Sequence, residues 1–294
     1  MGRTATMPRA QGQGRGLRLG AAAGQLALAL PALTLVALLV LAPLARIVGT
    51  SLEDGAGAYG DVLASGSFRA SLRATLELSA LVTVLCLVLA YPLAYLLNSM
   101  RSRRVAHALL LGVIVCLWIS ALVRTYAWTI ILGRNGLVNE LIMAVGIRDE
   151  PASLIFNRFA VVVGMTHYLL PFMILTLYAG MSGIDRRLVQ AARTLGAGGL
   201  RSFVSVFLPL SRPAIFAGCT MVFVVATGFF VMPALLGGPQ DATLSVYIER
   251  QLFHLEFGNA SAAALIMLAI VSAIFLVADR VVGLDRLFSA TRAG

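Results

Sequence analysis

Several side chains in this 294-residue sequence have types and surroundings that could do chemistry. Arg124 interrupts an apolar stretch. A guanidinium there is expected to face a bundle interior or a water-filled path, or else to snorkel toward the nearer interface. Tyr126 and Trp128 beside it could offer ring faces to an amine through cation–π attraction, or could belong to an interfacial aromatic belt. Glu77 is the acid best placed to meet a cation at membrane depth, the alternative being a carboxylate that simply faces the interface. With Phe230 these residues make a candidate solute path. Ser182 lies between Gly180 and Gly183, and His107, His167 and His254 could serve it as a base, which is the chemistry of an activated serine nucleophile. Cys86, Cys116 and Cys219 all lie in apolar runs without CxxC pairing, so they read as small buried hydrophobes rather than redox or metal groups.

Gly180-Met181-Ser182-Gly183 resembles the GxSG signature of rhomboid-type intramembrane serine proteases. The positions of the possible bases argue against that chemistry. His167 precedes Ser182 on one predicted helix and lies about 22 Å away at 1.5 Å rise per residue. His254 falls in a loop expected on the other side, and His107 could reach Ser182 only through tertiary contact. Next to Asp185, Ser182 serves better as a helix cap.

A polar island from Ile184 to Pro213 stands out from the apolar chain. It holds five arginines (186, 187, 193, 201, 212) against one acid, Asp185. Its first half is predicted to be a short amphipathic helix with Ile184, Leu188, Ala191, Ala192 and Leu195 on one face. Ser182, three residues before Asp185, is expected to start it as in a capping box. Gly196, Gly198 and Gly199 are expected to stop it, because glycine enters the left-handed conformation without steric cost. A second short helix follows, and Pro209 and Pro213 punctuate the return to the membrane. Such a segment held against a bilayer surface is a docking handle.

The elements that must position these residues are membrane helices. The chain is 59% hydrophobic and 12% charged, with mean hydropathy +0.90, against about 25% charged in soluble domains. Six apolar runs approach or exceed the roughly 20 residues a bilayer requires: Leu26–Val48, Ala74–Leu97, Ala106–Leu132, Ala160–Gly180, Ala214–Leu236 and Ala260–Ala278. A cleavable signal peptide is the alternative for the first, but the run exceeds an h-region of about 7–15 residues. The expected fold is therefore all-α, a polytopic membrane protein with six transmembrane helices and the polar island as a loop between the fourth and fifth. Its parts are a disordered cytoplasmic N-terminus (1–25), a first span with an outer loop (26–73), a transmembrane domain (74–285) and a cytoplasmic tail (286–294).

Arginine placement orients the chain. With the N-terminus cytoplasmic, fifteen of 23 arginines fall on inner segments, including all five of the island. That distribution explains the net charge of +10 without nucleic acid. Every basic residue is arginine. Without lysine the chain can form neither a Walker A phosphate loop nor a Schiff base, so any ATP is expected on another subunit.

Gln190-Ala191-Ala192, Gly196, Val206 and Leu208-Pro209 stand at the spacing of the EAA-type loop and resemble that of ABC importer permeases. Gln190 replaces the usual Glu and Val206 the usual Ile; a glutamine can hydrogen-bond but cannot form an ion pair. Further motifs are similar to spermidine/putrescine-type permeases. They are Tyr91-Pro92-Leu93-Ala94-Tyr95, Trp118-Ile119-Ser120 with Leu122 to Trp128, Asn135-Gly136-Leu137-Val138-Asn139, His167 to Phe172 and Phe230 to Pro239. The likeness covers roughly residues 70–285. It implies a coupling helix seated on an ATPase through Asp185, Gln190, Ala191, Ala192, Leu195, Gly196, Leu208 and Pro209. It also implies two ATPase copies carrying ATP and magnesium, a second and non-identical permease subunit, and an extracytoplasmic binding protein, all in a bacterial inner membrane. This chain itself would hold no cofactor or metal and would not be an enzyme. Polyamines are the implied cargo; relatives carry other small solutes such as amino acids, opine-like compounds or metal ions. A passive channel or secondary transporter with an interfacial helix is the reading outside this family.

Overall fold

The structure is a computed structural model and describes residues 14–53, 57–100 and 102–282. The element order is α1 (Gly14–Leu52), α2 (Gly57–Ala64), α3 (Gly66–Ser99), α4 (Arg103–Leu117), α5 (Ala121–Ile131), α6 (Leu137–Ala144), α7 (Arg158–Ser182), α8 (Arg186–Thr194), α9 (Gly199–Ser202), a π-helical turn (Phe203–Phe207), α10 (Leu208–Thr227), α11 (Val231–Leu236), α12 (Leu244–Phe253) and α13 (Phe257–Val282). No strand occurs among the described residues. Of the expected disordered N-terminus, residues 1–13 lie outside the described residues, and from Gly14 the chain is helical. The tail at 286–294 also lies outside them.

Five helices are long and apolar enough to cross a bilayer: within α1, α3, α7, the continuous α9–α10 unit and α13. The run expected as one span over 106–132 is instead two helices, α4 and α5, bent by 91° at Trp118–Ser120. Counting that pair as one broken span gives six. The fifth span also departs from a single run. It stops at Thr227, Gly228 and Phe229 leave the helix, and α11 resumes at Val231. The residues around 49–73 are more helical than a loop, with α2 and the start of α3 occupying most of them.

The centre is α3, α7 and α10 packed on one another. Hydrocarbon solvates leucine as well as a neighbouring helix does, so close packing depends on small residues that let backbones approach. Ala90, Ala94, Gly164, Gly180, Ala214, Gly218 and Ala226 supply them. Gly180 is the tightest point, where an added Cβ would collide with the Ala214 side chain. Gly180→Val is therefore expected to force α7 from α10 at a cost of about 1–3 kcal/mol. A drop in melting temperature of the detergent-purified chain checks this; an unchanged melting point would refute the close approach.

Polar ties pin the ends of this trio. Asn98 of α3 donates to the Met181 carbonyl of α7 (3.2 Å), and Tyr91 and Ser211 share a hydrogen bond of 2.8 Å between α3 and α10. At the other end, Thr75 of α3 accepts from the Leu244 amide (2.7 Å) and so caps α12 from outside it. A smaller core gathers there, with Phe68, Leu244, Tyr247, Ala262 and Ala263 buried together. α1 packs along α13, and the long apolar side chains from Leu30 to Leu41 are exposed in this single chain.

Candidate functional site

α8 begins at a true cap. The Asp185 carboxylate accepts from the Arg187 amide (2.8 Å), so Asp185, and not Ser182, starts the helix. Ser182 is the last residue of α7, and its hydroxyl donates back to the Ala179 carbonyl (2.7 Å). Both residues sit at capping distance from α8 in sequence. The acid wins because its full charge also meets the positive end of the helix dipole.

α8 ends in a Schellman arrangement. Gly196 has φ +89°, its amide donates to the Arg193 carbonyl, and the Ala197 amide donates to Ala192, each at 3.0 Å. Gly198 and Gly199, expected to share the stop, have ordinary backbone, and Gly199 opens α9. From there the chain is one continuous helix through the π turn to Thr227, with Pro209 and Pro213 inside it rather than bounding it. Pro209 has no amide for the carbonyl four residues back, and its ring crowds that carbonyl. The helix widens directly ahead of it, and the Leu208 amide donates five residues back to Phe203. Tyr91, Tyr95, Phe203 and Phe207 pack edge-to-face and stacked around this turn.

The faces of α8 differ from the single apolar face expected. Ile184 and Val189 pack on the core and Ala192 is half-buried, whereas Leu188 (50% exposed), Ala191 and Leu195 (88%) form an uncovered stripe. Leu200, at 79% exposed, extends it. Leu208 and Pro209 lie in α10 next to the π turn. Gln190 is exposed and, with Arg186, Val189 and Arg193, lines a cleft against Tyr95, Asn98, Ser99 and Phe207.

Arg124 faces inward. It is 4% exposed, and its Nη2 donates to the Cys116 carbonyl, with Ile119 O at 3.5 Å. The guanidinium thus reaches back across the 91° bend to the carbonyls that the C-terminus of α4 leaves without helical partners. Its carbon lies 4.9 Å from the Tyr168 ring centroid. Nε and Nη1 have no partner among the described residues.

The aromatics expected around it are arranged otherwise. Tyr126 is 68% exposed, and Trp128 donates from Nε1 to His167 Nδ1 (3.2 Å). Phe230 sits at the break between α10 and α11, partly exposed. Tyr168, which the sequence offers only as a member of the His167–Phe172 motif and not as a partner of Arg124, is the ring against the guanidinium. Only the tertiary contact between α5 and α7 reveals it.

Glu77 is engaged. Arg73 holds one of its oxygens at 2.7 Å and Arg158 the other at 3.0 Å. Ser182 has no hydrogen bond to histidine among the described residues, and His167 is bound to Trp128. The cysteines are free, and no metal-binding cluster occurs among the described residues.

Residues 87–284 match the family model of the binding-protein-dependent transport system inner membrane component. The chain belongs to this family. This transport component is 35% identical over 173 residues to the spermidine/putrescine transport system permease protein PotB of Escherichia coli K12, covering 59% of this chain and 63% of that protein. It is 36% identical over 163 residues to PotB of Haemophilus influenzae, covering 54% and 57%. It is 27% identical over 146 residues to the E. coli permease protein PotC, covering 50% and 52%. The matches therefore span less than two thirds of these relatives' length.

In three dimensions the transport component superposes on a chain of a bacterial ABC transporter that imports the acidic polysaccharide alginate. The TM-score is 0.77 at 19% identity, over 90% of this chain and 98% of the other. A chain of the MetNI methionine ABC transporter matches with TM-score 0.55 at 19% identity, over 74% and 97%. The all-helical fold of ABC importer permeases is thus shared, in a multi-pass inner-membrane protein.

Proposed function

We propose that this chain is one permease subunit of an ATP-driven importer for polyamines of the spermidine/putrescine kind, with ATP hydrolysis on a separate protein. The observation that carries the docking half is the uncovered stripe Leu188, Ala191, Leu195 on α8. An apolar ridge on an otherwise basic surface helix supports a protein partner rather than solvent. The seat is an ATPase, one copy under this chain and one under a second, non-identical permease subunit. The arginine bias supports a cytoplasmic α8 end and cytoplasmic termini. ATP binding draws the ATPases together, the coupling helices follow, and the spans exchange inward- and outward-open states.

The polyamine half draws on the names of the relatives. Within this chain Glu77 is bound by two arginines and the buried charge at Arg124 is positive, so cation selection falls to an extracytoplasmic binding protein and to the second subunit. Uptake of labelled spermidine and putrescine, lost when this chain or the ATPase is deleted, tests the assignment. Loss confined to an amino acid, an opine-like compound or a metal ion would replace the cargo and keep the transporter; uptake untouched by loss of the ATPase would sink the whole reading.

Leu188→Asp probes the stripe. The position is half-exposed, so the chain's own stability should move by less than about 0.5 kcal/mol. Copurification of the ATPase should fall at least about tenfold, since a carboxylate in an apolar contact is left unpaired. An ATPase retained at wild-type levels would place the contact elsewhere.

A further inference from the structure

The face of α8 opposite the apolar stripe is basic and has no acid against it. Arg186, Val189, Gln190 and Arg193 recur at helical spacing on one side, while Leu188, Ala191 and Leu195 occupy the other. With Tyr95, Asn98 and Ser99 at the end of α3, and Phe207 of the π turn, they enclose a cleft of about 210 Å³. Neither arginine forms an ion pair among the described residues. An acid at position 190 would stand four residues after Arg186 and three before Arg193 and would neutralise them locally; Gln190 leaves both charges in place. Hydroxyl and amide groups of Tyr95, Ser99 and Gln190 add polar partners, and Val189 and Phe207 make part of the lining apolar.

We propose that this cleft holds the phosphate of an anionic phospholipid from the leaflet on the α8 side, gripped between Arg186 and Arg193, with its glycerol region against Val189 and Phe207. The chemistry is that of basic pockets beside membrane helices, where arginine charge and apolar lining meet one amphiphile. The apolar stripe stays free for a protein, because it lies on the other side of the helix. A lipid so placed ties α8 to α3 and to the π turn. The proposal rests on the reading that α8 lies at a membrane surface.

Native mass spectrometry of the detergent-purified full chain tests it, with phosphatidylglycerol, phosphatidylcholine of the same chain length, and glycerol phosphate as probes. Phosphatidylglycerol should be retained over phosphatidylcholine. R186Q/R193Q should weaken its retention about 30-fold, near fivefold per guanidinium, while R187Q/R201Q, outside the cleft, should change it less than about twofold. Equal loss in both double variants, or equal retention of phosphatidylcholine, overturns the proposal. Displacement by glycerol phosphate would make the cleft a site for free anions, and displacement by the bound ATPase would make it a protein contact; either outcome also overturns it. The lipid comparison itself needs neither transport nor ATPase, which enters only in the displacement arm, so Leu188→Asp retaining its ATPase would remove the docking reading and leave this one standing.

Discussion

Gly196→Val should abolish uptake while the chain still inserts in the membrane at wild-type abundance. The reason is backbone, not space. Beyond its own chain neighbours no atom stands within 4 Å of where the new Cβ would go, but the residue sits at φ +89°. A β-branched residue in that region costs about 1–2 kcal/mol or more. The cheapest relief is to unwind the Schellman turn, which releases the angle between α8 and the long helix that begins at Gly199. The strain is local and at the surface, so the buried trio α3, α7, α10 is untouched and the melting temperature should hardly move. Gly196→Asn is the control, because asparagine tolerates the left-handed conformation; it should restore most of the transport. Normal uptake by the valine variant would count heavily against force passing through α8.

Arg124→Leu should lower stability by about 3 kcal/mol and stop transport. The guanidinium's charge-assisted hydrogen bond to Cys116, with Ile119 nearby, is worth about 1.5–3 kcal/mol. The Tyr168 contact adds about 1–2 kcal/mol in a desolvated setting. The leucine would leave the end of α4 with carbonyls that nothing in hydrocarbon can satisfy. Arg124→Lys should recover part of the stability, since an ammonium can reach one carbonyl but lacks the planar fork. The measurement is thermal unfolding in detergent beside solute uptake. A stable, fully active leucine variant would show that the bend holds itself.

Much of the architecture was legible because membrane helices are apolar over a fixed length and loops are not. α3, α7 and α13 contain the spans expected from hydropathy. The α8 helix was legible too, from its apolar spacing and the glycine after it. The broken third span was not. Residues 106–132 read as one apolar run broken only by scattered polar residues, and where they bend Arg124 reaches backward, a contact that no hydropathy window contains. The same holds for Tyr168, which lies 44 residues beyond its arginine. The cap of α8 went to Asp185 because two candidate residues three apart cannot be ranked until the end of α7 is known. Glu77 looked available as a lone acid in an apolar run, and only folding brings Arg158 to it from α7.

α3 has 34 residues and so measures about 51 Å, against a hydrocarbon layer of about 30 Å. Some 20 Å of it must stand clear of the lipid tails or be absorbed by tilt. Its two ends hold different neighbours: Thr75 grips the start of α12, and Asn98 grips the end of α7 beside the α8 loop. One stiff strut therefore has a fingertip on either side of the bilayer, and a change in its lean is felt on both shores at once.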